Sequence, residues 1–264
     1  IGAVAGGTSA AAKIRRNDEN AEIKIFDMDY DISYSGCGLP YYIGEEIRDR
    51  DDLVPRNAEF FKKKYNVDVF RRHEITSYKF LIVKNLENNE IFTEKYDKLV
   101  IATGAKPIVP NIPGAEKSNV FYLRNVLQAD KIKEYILAHK PKSAVIVGTG
   151  FIGLEMTENL KNLGIEVTMV ERLNQVTPGL DSDMAVYVEK YLKGKNINVI
   201  LDDSVVELNG YGLINQVVLQ SGKVLNTDFV IMSIGVKPNV EIAKEAGIEL
   251  GAKGAIKVNT KMMT

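Results

Sequence analysis

The sequence of 264 residues contains one cysteine, two histidines and no tryptophan. A single cysteine excludes a disulfide within the chain, so a reducing cytoplasm is the expected location. Two histidines and one cysteine are too few for a credible zinc site, so no metal is predicted. We expect His73 and His139 to lie at the surface, because neither has a partner at ligand or triad spacing.

Long apolar runs and an excess of charge are also missing. No run approaches the roughly 18 apolar residues that a membrane-spanning helix needs, and no charged-then-apolar leader opens the sequence. The 34 Lys and Arg residues are scattered and are balanced by 35 Asp and Glu residues. The composition therefore argues against a nucleic-acid surface and against a membrane protein. The length allows one large or two medium domains.

A glycine pattern stands at the centre of the chain. Gly148-Thr149-Gly150-Phe151-Ile152-Gly153 lies between the apolar run Ser143–Val147 and a helical pattern. In a dinucleotide-binding turn, Gly148 permits the tight turn and Gly150 lets the backbone approach a pyrophosphate. Gly153 allows the helix to pack closely on the strand. The unpaired N–H groups of the helix N-terminus attract phosphates, so this region is predicted to bind a dinucleotide.

An acidic residue completes this fingerprint. Glu171 closes the next apolar run, 23 residues after Gly148. A carboxylate at this position accepts hydrogen bonds from the adenosine ribose hydroxyls and repels a 2′-phosphate, which favours NADH over NADPH. The neighbouring Arg172 weakens that preference, so NADPH remains possible.

The first residues contain a degenerate copy of the same pattern. In Gly2-Ala3-Val4-Ala5-Gly6-Gly7, Val4 replaces the middle glycine, and Asp27 supplies an acid 25 residues after Gly2. The alternative is a glycine-rich strand–helix turn without a ligand. Two nucleotide sites on one chain would imply electron transfer between two cofactors.

The lone cysteine, Cys37, lies between Gly36 and Gly38. The two glycines leave the sulfur sterically open, and a helix beginning there would stabilise its thiolate and make it a better nucleophile. The alternative is a small buried hydrophobic residue. The residues alone leave both interpretations open.

Strands alternating with helices predict an α/β fold with a parallel sheet covered on both faces. Leu99–Ala102 is predicted to be a buried strand and Ala255–Val258 a further strand, while Phe80–Lys84 and Glu90–Phe92 are predicted to form a hairpin. Three prolines between positions 107 and 113 mark the best domain boundary. Ile1 is interpreted as the last residue of a strand, and the C-terminus follows a strand-like run, so we expect a piece of a longer protein.

Taken together, these segments resemble the single-cysteine flavoprotein disulfide reductases, a family that includes coenzyme A-disulfide reductase, NADH oxidase, NADH peroxidase and polysulfide reductases. The resemblance covers nearly all 264 residues. It rests on the segments Gly2–Gly7, Ser33–Tyr42, His73–Ile75, Ala102–Pro107, Gly148–Glu155 and Gly235–Asn239.

The resemblance implies two Rossmann-like modules for FAD and NAD(P)H, the second inserted in the first. FAD would bind residues 1–112 and 239–264, and NAD(P)H residues 113–238. Relatives continue into an Ala-Gly-Asp motif and a C-terminal interface domain whose tyrosines act in the partner's site, and neither lies within residues 1–264. We therefore expect a homodimer of the longer protein, and poor FAD retention and little disulfide reductase activity when this segment is expressed alone.

The resemblance also implies roles for individual residues. Cys37 matches the redox cysteine facing the flavin, Phe151 an aromatic residue that shields the flavin, and Glu155 a carboxylate beside the nicotinamide. The implied FAD contacts are Gly2, Gly6, Gly7, Asp27, Ile75, Thr103 and Gly104. The remaining implied cofactor contacts are Gly148, Gly150, Gly153, Glu171 and Gly235. Arg16 and Ser33 match positions that contact coenzyme A.

The predicted function is electron transfer from NAD(P)H through FAD to a disulfide or other sulfur species at Cys37, with coenzyme A disulfide favoured. Gly36 departs from the asparagine of the best-known coenzyme A-disulfide reductases, and Lys237 from a frequent arginine, so polysulfide remains a possible substrate. One alternative is an NADH oxidase or peroxidase that cycles Cys37 through sulfenic acid. Another is an electron-carrier reductase in which Cys37 only packs.

Overall fold

The computed structural model describes residues 1–78 and 81–264. In chain order the strands are β1 (Lys24–Asp27), β2 (Asp68–Arg71), β3 (His73–Ser77), β4 (Leu81–Asn85), β5 (Ile91–Glu94), β6 (Ala105–Pro107), β7 (Val120–Tyr122), β8 (Ser143–Val147), β9 (Glu166–Val170), β10 (Asn198–Ile200), β11 (Val205–Asn209), β12 (Gln216–Leu219), β13 (Val224–Asn226), β14 (Phe229–Met232) and β15 (Val236–Pro238). The helices are α1 (Gly6–Asn17), α2 (Leu39–Ile43), α3 (Arg50–Leu53), α4 (Ala58–Tyr65), α5 (Val126–His139), α6 (Phe151–Asn162), α7 (Ser182–Gly194) and α8 (Glu241–Glu245).

The chain forms two compact units. The first unit consists of Ile1–Ser35, Val54–Lys106 and Lys237–Thr264, and the second of Gly36–Leu53 and Pro107–Val236. Residues 36–53 therefore pack with the second unit, although they precede the proline-rich boundary in sequence. The binding of FAD by the first unit and of NAD(P)H by the second stays a prediction.

A five-stranded parallel sheet forms the centre of the second unit, with the strand order β10-β9-β8-β14-β7. The α/β fold class and the parallel sheet are thus confirmed. Four of the five residues of β8 are buried, as expected for a strand covered on both faces. β11, β12 and β13 form a separate antiparallel sheet, because the short connections between them can join only antiparallel neighbours.

Smaller sheets build the first unit. β1 and β2 are parallel, and β3, β4 and β5 form an antiparallel sheet. The predicted hairpin corresponds to β4 and β5, but Phe80 lies outside the described residues. One buried cluster joins Phe26 of β1 to Leu81 and Val83 of β4, so the antiparallel sheet packs against the strand that ends in Asp27.

Two predicted strands are wrong. Leu99–Ala102 forms no assigned strand, and Val100 is 41% exposed. Among the described residues its backbone hydrogen bonds run to Ile1: the Ile1 amino group donates to the Val100 carbonyl, and the Ile1 carbonyl accepts from the Ala102 N–H. Ala255–Val258 makes one isolated bridge, between Ile256 and Leu250, so it lacks the continuous partner that a strand requires.

The surface prediction is correct for His139 but wrong for His73. His139 is exposed and stacks on Tyr135, whereas His73 is half-buried. The His73 ring packs against Phe70 and Phe92, and its Nδ1 lies 2.6 Å from the Arg71 carbonyl. Throughout the described parts of the chain, each helix is too short or too polar to cross a bilayer.

Candidate functional site

The central glycine turn joins β8 to α6 in the second unit. Gly148 has φ of +99°, and its N–H donates to the Val170 carbonyl at 2.8 Å. A Cβ atom on Gly148 would lie 2.6 Å from the Ser233 carbonyl oxygen, and one on Gly153 would collide with the Gly148 carbonyl. A Cβ on Gly150 would meet nothing within 4 Å. The protein itself thus requires the first and third glycines, while the middle one faces open space of the kind that a pyrophosphate needs.

Glu171 is held directly beside this turn. Its Oε2 accepts hydrogen bonds from the Thr149 N–H at 2.9 Å and the Thr149 hydroxyl at 2.8 Å. Its Oε1 accepts a hydrogen bond from the Leu173 N–H at 3.1 Å. A carboxylate has about four acceptor sites, so these three hydrogen bonds leave about one acceptor site of Glu171 unused.

The N-terminal turn repeats this geometry in the first unit. Gly2 has φ of +98° and donates to the Phe26 carbonyl at 2.9 Å. A Cβ on Gly2 would collide with the Ala102 carbonyl, and one on Gly7 would collide with the Gly2 carbonyl. At Gly6, a Cβ would lie 3.3 Å from the Ala102 side chain. The degenerate spacing therefore still folds into a dinucleotide-type turn.

Asp27 occupies the position in this turn that Glu171 occupies in the other. It is 9% exposed, and its Oδ2 accepts from the Ala3 N–H at 2.6 Å while Oδ1 accepts from the Asp29 N–H at 2.8 Å. Burial raises the pKa of this carboxyl, and the two backbone donors oppose the rise. Ala3 and Thr149 each follow the first glycine of their turn. Each glycine turn and its acidic residue, here called a cradle, therefore holds the acid in the same way.

A hydroxyl residue with left-handed backbone completes each cradle. Ser33 has φ of 51° and donates its N–H to the Ala3 carbonyl at 2.8 Å. Thr177 has φ of 46° and donates its N–H to the Thr149 carbonyl at 3.2 Å. Such backbone is uncommon outside glycine, and its appearance at both positions extends the correspondence between the units.

The segment around Thr103 and Gly104 is hydrogen-bonded to Asn239 in the first unit. The Thr103 hydroxyl donates to the Asn239 carbonyl at 2.6 Å, and the Asn239 side-chain amide donates to the Thr103 carbonyl at 2.9 Å. The Asn239 N–H donates to the Gly104 carbonyl at 2.9 Å. The Thr103 hydroxyl is thus already hydrogen-bonded within the protein. A ligand at this segment would meet mainly backbone groups. Sequence reasoning placed Asn239 in a motif but did not predict this role.

Cys37 is exposed, so the interpretation as a small buried residue is wrong. It lies in a single 3-10 turn, Gly36–Gly38, which runs directly into α2. The pKa of the Tyr41 phenol on α2 is raised, first by the negative charge of Glu155 and then by burial. Tyr41, which the sequence did not single out, thus lies near Glu155 within the second unit, where α2 contacts α6.

The first turns of α6 carry Phe151, which was predicted to shield the flavin, and Glu155, which was predicted to lie beside the nicotinamide. Phe151 is 75% exposed, which is unusual for a large aromatic side chain. Glu155, one turn further along, is half-buried, and its pKa is raised by burial and then by the charge of Glu158. α6 thus presents an exposed ring followed by a carboxyl that holds its proton more tightly than usual.

The raised pKa of Glu155 predicts a pH-dependent effect on stability. A carboxyl whose pKa is higher in the folded state than in the unfolded state opposes folding when it is ionised. This penalty builds up as the pH rises from the unfolded pKa through the folded one. We expect Glu155→Gln to raise the Tm at pH 7–8 by about 1–3 °C, the scale of a change below about 1 kcal/mol. The gain should shrink as the pH falls toward the ordinary glutamate pKa of 4.5 and should vanish below it. Thermal unfolding followed by circular dichroism across this range measures it.

The control for this variant is Glu189→Gln on α7, which removes an exposed ion pair with Lys193. Glu189→Gln should give no gain at pH 7–8, because Glu189 is stabilised by its partner. A gain from Glu155→Gln that persists undiminished at pH 4 would contradict the assignment to ionisation.

Arg16 lies at a cavity in the first unit. The cavity has a volume of about 190 Å³ and is lined by Thr8, Ser9, Ala12, Arg16, Arg56, Phe60, Phe61 and Tyr65. The Arg56 guanidinium lies 5.7 Å from the centre of the Phe60 ring. Two guanidinium groups and an aromatic ring suit a ligand that carries phosphate and a planar base. Ser33 does not line this cavity, and sequence reasoning missed Arg56 and Phe60.

Two residues predicted to contact a cofactor, Ile75 and Gly235, make contacts within the protein. Ile75 lies in β3 and packs against the buried cluster of Phe26. Gly235 has φ of +108°, and its carbonyl accepts from the Ile108 N–H at 3.0 Å. Within residues 1–78 and 81–264, no group of three or more His, Cys, Asp or Glu residues is arranged to hold a metal ion.

Comparison with known proteins identifies relatives over the whole chain. The family model described as pyridine nucleotide-disulphide oxidoreductase matches residues 1–264. Coenzyme A disulfide reductase of Staphylococcus haemolyticus is 35% identical over 268 residues, and NADH oxidase of Methanocaldococcus jannaschii is 37% identical over 274 residues. Both alignments cover 100% of this chain and 59% of the relative, so the chain spans less than two-thirds of the length of these proteins.

Solved structures agree with this assignment. The reduced CoADR-RHD of Bacillus anthracis is 44% identical with a TM-score of 0.96, covering 99% of this chain and 48% of that one. The NAD-dependent persulfide reductase of A. fulgidus is 38% identical with a TM-score of 0.94, covering 98% of this chain and 49% of that one. The chain therefore belongs to the pyridine nucleotide-disulphide oxidoreductase family.

Proposed function

We propose that the protein passes electrons from NAD(P)H through FAD to a disulfide or other sulfur species at Cys37. Members of this family use FAD and NADH, and the two matching glycine turns would provide one site for each. The observation that carries the proposal is the exposed Cys37, the only thiol in residues 1–264. Relatives named coenzyme A disulfide reductase and persulfide reductase support sulfur as the acceptor.

The proposed residue roles follow from the geometry of each unit. Gly2, Gly6 and Gly7 would form the turn that receives the pyrophosphate of FAD, with Asp27 accepting from its ribose. Gly148, Gly150 and Gly153 would do the same for the nicotinamide dinucleotide, with the free acceptor site of Glu171 facing its ribose. FAD, when bound, would accept the hydride of NAD(P)H and supply two electrons to sulfur.

Cys37 would perform the sulfur chemistry by thiol–disulfide exchange. Its thiolate attacks one sulfur of the substrate disulfide, so that a Cys37–sulfur bond forms, the substrate S–S bond breaks and one thiolate leaves. Two electrons and one proton then cleave this mixed disulfide, which releases the second thiol and restores the Cys37 thiolate. The exposure of Cys37 supports this role, because the attacking sulfur must reach its substrate.

The cavity at Arg16 supports coenzyme A disulfide as the substrate. A cavity with two arginines and a phenylalanine ring fits a substrate with phosphates and an adenine ring, whereas an inorganic polysulfide has neither. Gly36, the position that departs from coenzyme A-disulfide reductases, has open space where a side chain would begin. A larger residue would therefore fit at this position, and the absence of a side chain on Gly36 leaves more room for a substrate to reach Cys37.

Arg16→Ala should raise the KM for coenzyme A disulfide about tenfold, the scale of one lost charge-assisted hydrogen bond. Its turnover with polysulfide should stay unchanged, because polysulfide carries no phosphate. Steady-state NADH oxidation with each acceptor measures the two values. Lys63→Ala on α4, outside the cavity, is the matched control, and an equal effect of Arg16→Ala on both acceptors would contradict the substrate assignment.

The second candidate function is an NADH oxidase or peroxidase that cycles Cys37 through sulfenic acid. The relative named NADH oxidase, at 37% identity, favours it. NADH consumption with coenzyme A disulfide, polysulfide, hydrogen peroxide or oxygen as the sole acceptor separates the two functions. Fastest turnover with peroxide or oxygen would overturn the disulfide proposal. A cytoplasmic location and a homodimer of the longer protein stay predictions.

A further inference from the structure

An anchor in the second unit holds the segment that carries Cys37. The Tyr42 hydroxyl at the end of α2 donates to Asp130 Oδ1 at 3.1 Å. Arg50, the first residue of α3, donates through Nε to Asp130 Oδ2 at 3.0 Å, and Arg50 Nη2 lies 3.0 Å from the same oxygen. One carboxylate on α5 therefore binds both helices of residues 36–53.

The lysine one turn further along α5 adds to this anchor. Lys133 Nζ donates to the Tyr42 carbonyl at 3.2 Å and lies 4.2 Å from the centre of the Tyr42 ring. Tyr42 is 8% exposed, and burial, followed by its hydrogen bond to Asp130, raises the pKa of its phenol. Tyr42 thus stays a neutral donor to Asp130 while its carbonyl and ring bind Lys133.

The end of α2 also packs closely against α6. A Cβ on Gly44 would collide with the side chain of Asn159, which is fully buried and donates to the Glu155 carbonyl at 2.8 Å. α2 is therefore in contact with both α5, which carries the polar anchor, and α6, which it approaches closely at Gly44. Because the packing at Gly44 is close, we expect even a small displacement of α2 to disturb it.

A helix of five residues does not hold itself in place, because isolated helices shorter than about 12 residues are marginal in water. The exposed Cys37 lies in the turn that immediately precedes α2. The position of its sulfur thus depends on what holds α2. Buried Leu39 and Ile43 supply apolar contact, but apolar contact is non-directional. The hydrogen bonds to the Asp130 carboxylate are directional, so they fix the orientation of α2.

We propose that Asp130 is a positioning residue for Cys37, acting through Tyr42 and Arg50. This inference rests on the proposed function, since it concerns the sulfur half of that reaction. Asp130 is remote in sequence from Cys37, and it does nothing in the reaction itself. Its loss leaves the dinucleotide turn at Gly148 intact and releases α2.

The test compares wild type, Asp130→Asn, Asp130→Glu and Glu189→Gln as flavin-loaded full-length proteins. Stopped-flow absorbance measures flavin reduction by NADH and, separately, flavin reoxidation by coenzyme A disulfide. In Asp130→Asn the first rate should stay within twofold of wild type. The second should fall by about 10- to 100-fold, because a misplacement of about 1 Å costs up to about 100-fold. Asp130→Glu should recover part of the loss, and Glu189→Gln should match wild type.

Hydrogen exchange gives a readout that needs no turnover. In wild type the Gly44 and Glu46 N–H groups are bonded to the Pro40 and Tyr41 carbonyls. Their exchange should speed up at least about tenfold in Asp130→Asn, as expected for local opening of the segment, while amides of β8 keep their protection. Tyr42→Phe keeps the ion pair and should show a smaller change of the same kind, so it carries the test if Asp130→Asn does not fold.

The inference is overturned if reoxidation in Asp130→Asn equals wild type, or if both half-reactions fall together with the Tm. It is also overturned if Asp130→Glu recovers nothing while folding normally. Failure of the proposed function looks different, because wild type and Cys37→Ser would then oxidise NADH equally well with the disulfide. The exchange measurement still reports on the anchor in that case.

Discussion

Cys37→Ser is expected to abolish NADH oxidation with coenzyme A disulfide, with a loss of at least about 1,000-fold, as when an enzyme loses its nucleophile. Serine has the size of cysteine but does not form the mixed disulfide, and residues 1–264 contain no second cysteine to replace it. Reduction of the flavin by NADH should persist, because no group of the dinucleotide turn is changed. Stopped-flow and steady-state rates on the full-length flavin-loaded protein measure the two effects separately.

Ser35→Ala, two residues upstream and also exposed, is the matched control and should behave as wild type. Unchanged disulfide turnover in Cys37→Ser would end the cysteine-centred mechanism and favour an electron-carrier reductase. If Cys37→Ser instead loses turnover only with peroxide, the sulfenic acid cycle is the better description.

Gly150→Ala is expected to weaken NADH binding by about 10- to 100-fold without loss of stability. Gly150 has φ of −71° and ψ of 178°, which alanine adopts readily, and an added Cβ meets nothing within 4 Å. The new methyl group would occupy the space that the pyrophosphate needs, and such overpacking costs ~1–3 kcal/mol. Calorimetric titration with NADH and thermal unfolding of the same sample measure affinity and stability.

Gly153→Ala provides the contrast. There the added Cβ would collide with the Gly148 carbonyl and approach Ser233 Oγ to 2.8 Å, so the Tm should fall even without nucleotide. NADH affinity unchanged in Gly150→Ala would show that the open space at this turn is not the pyrophosphate site.

The sequence predicts the cradles well because their requirements are local. A tight turn, a close helix–strand contact and an acid after the next strand each depend on a few neighbouring residues, as at Gly148, Gly153 and Glu171. The prediction extends to the degenerate N-terminal turn, where Gly7 meets the same steric limit. Which acceptor sites of Glu171 are already used by Thr149 depends on side-chain rotamers, which spacing does not specify.

Features that depend on distant partners were missed. Leu99–Ala102 has the composition of a strand, but in the described part of the chain its backbone bonds to Ile1, which belongs to no strand. Arg56 and Phe60 join Arg16 at a cavity only after α1 and α4 have packed. Asp130 reaches Arg50 across 80 positions of sequence. None of these pairings leaves a periodic signal in the chain.

The course of the chain has a practical consequence for dissection of the protein. The chain passes from one unit to the other after Ser35, Leu53, Lys106 and Val236. Neither unit is therefore encoded by one continuous segment of the gene. A clone of residues 107–236 alone would expose the surfaces that Leu39, Ile43 and Leu53 cover, and we expect it to aggregate. Adding residues 36–53 as a separate peptide should restore solubility, and the peptide would bring the reactive sulfur with it.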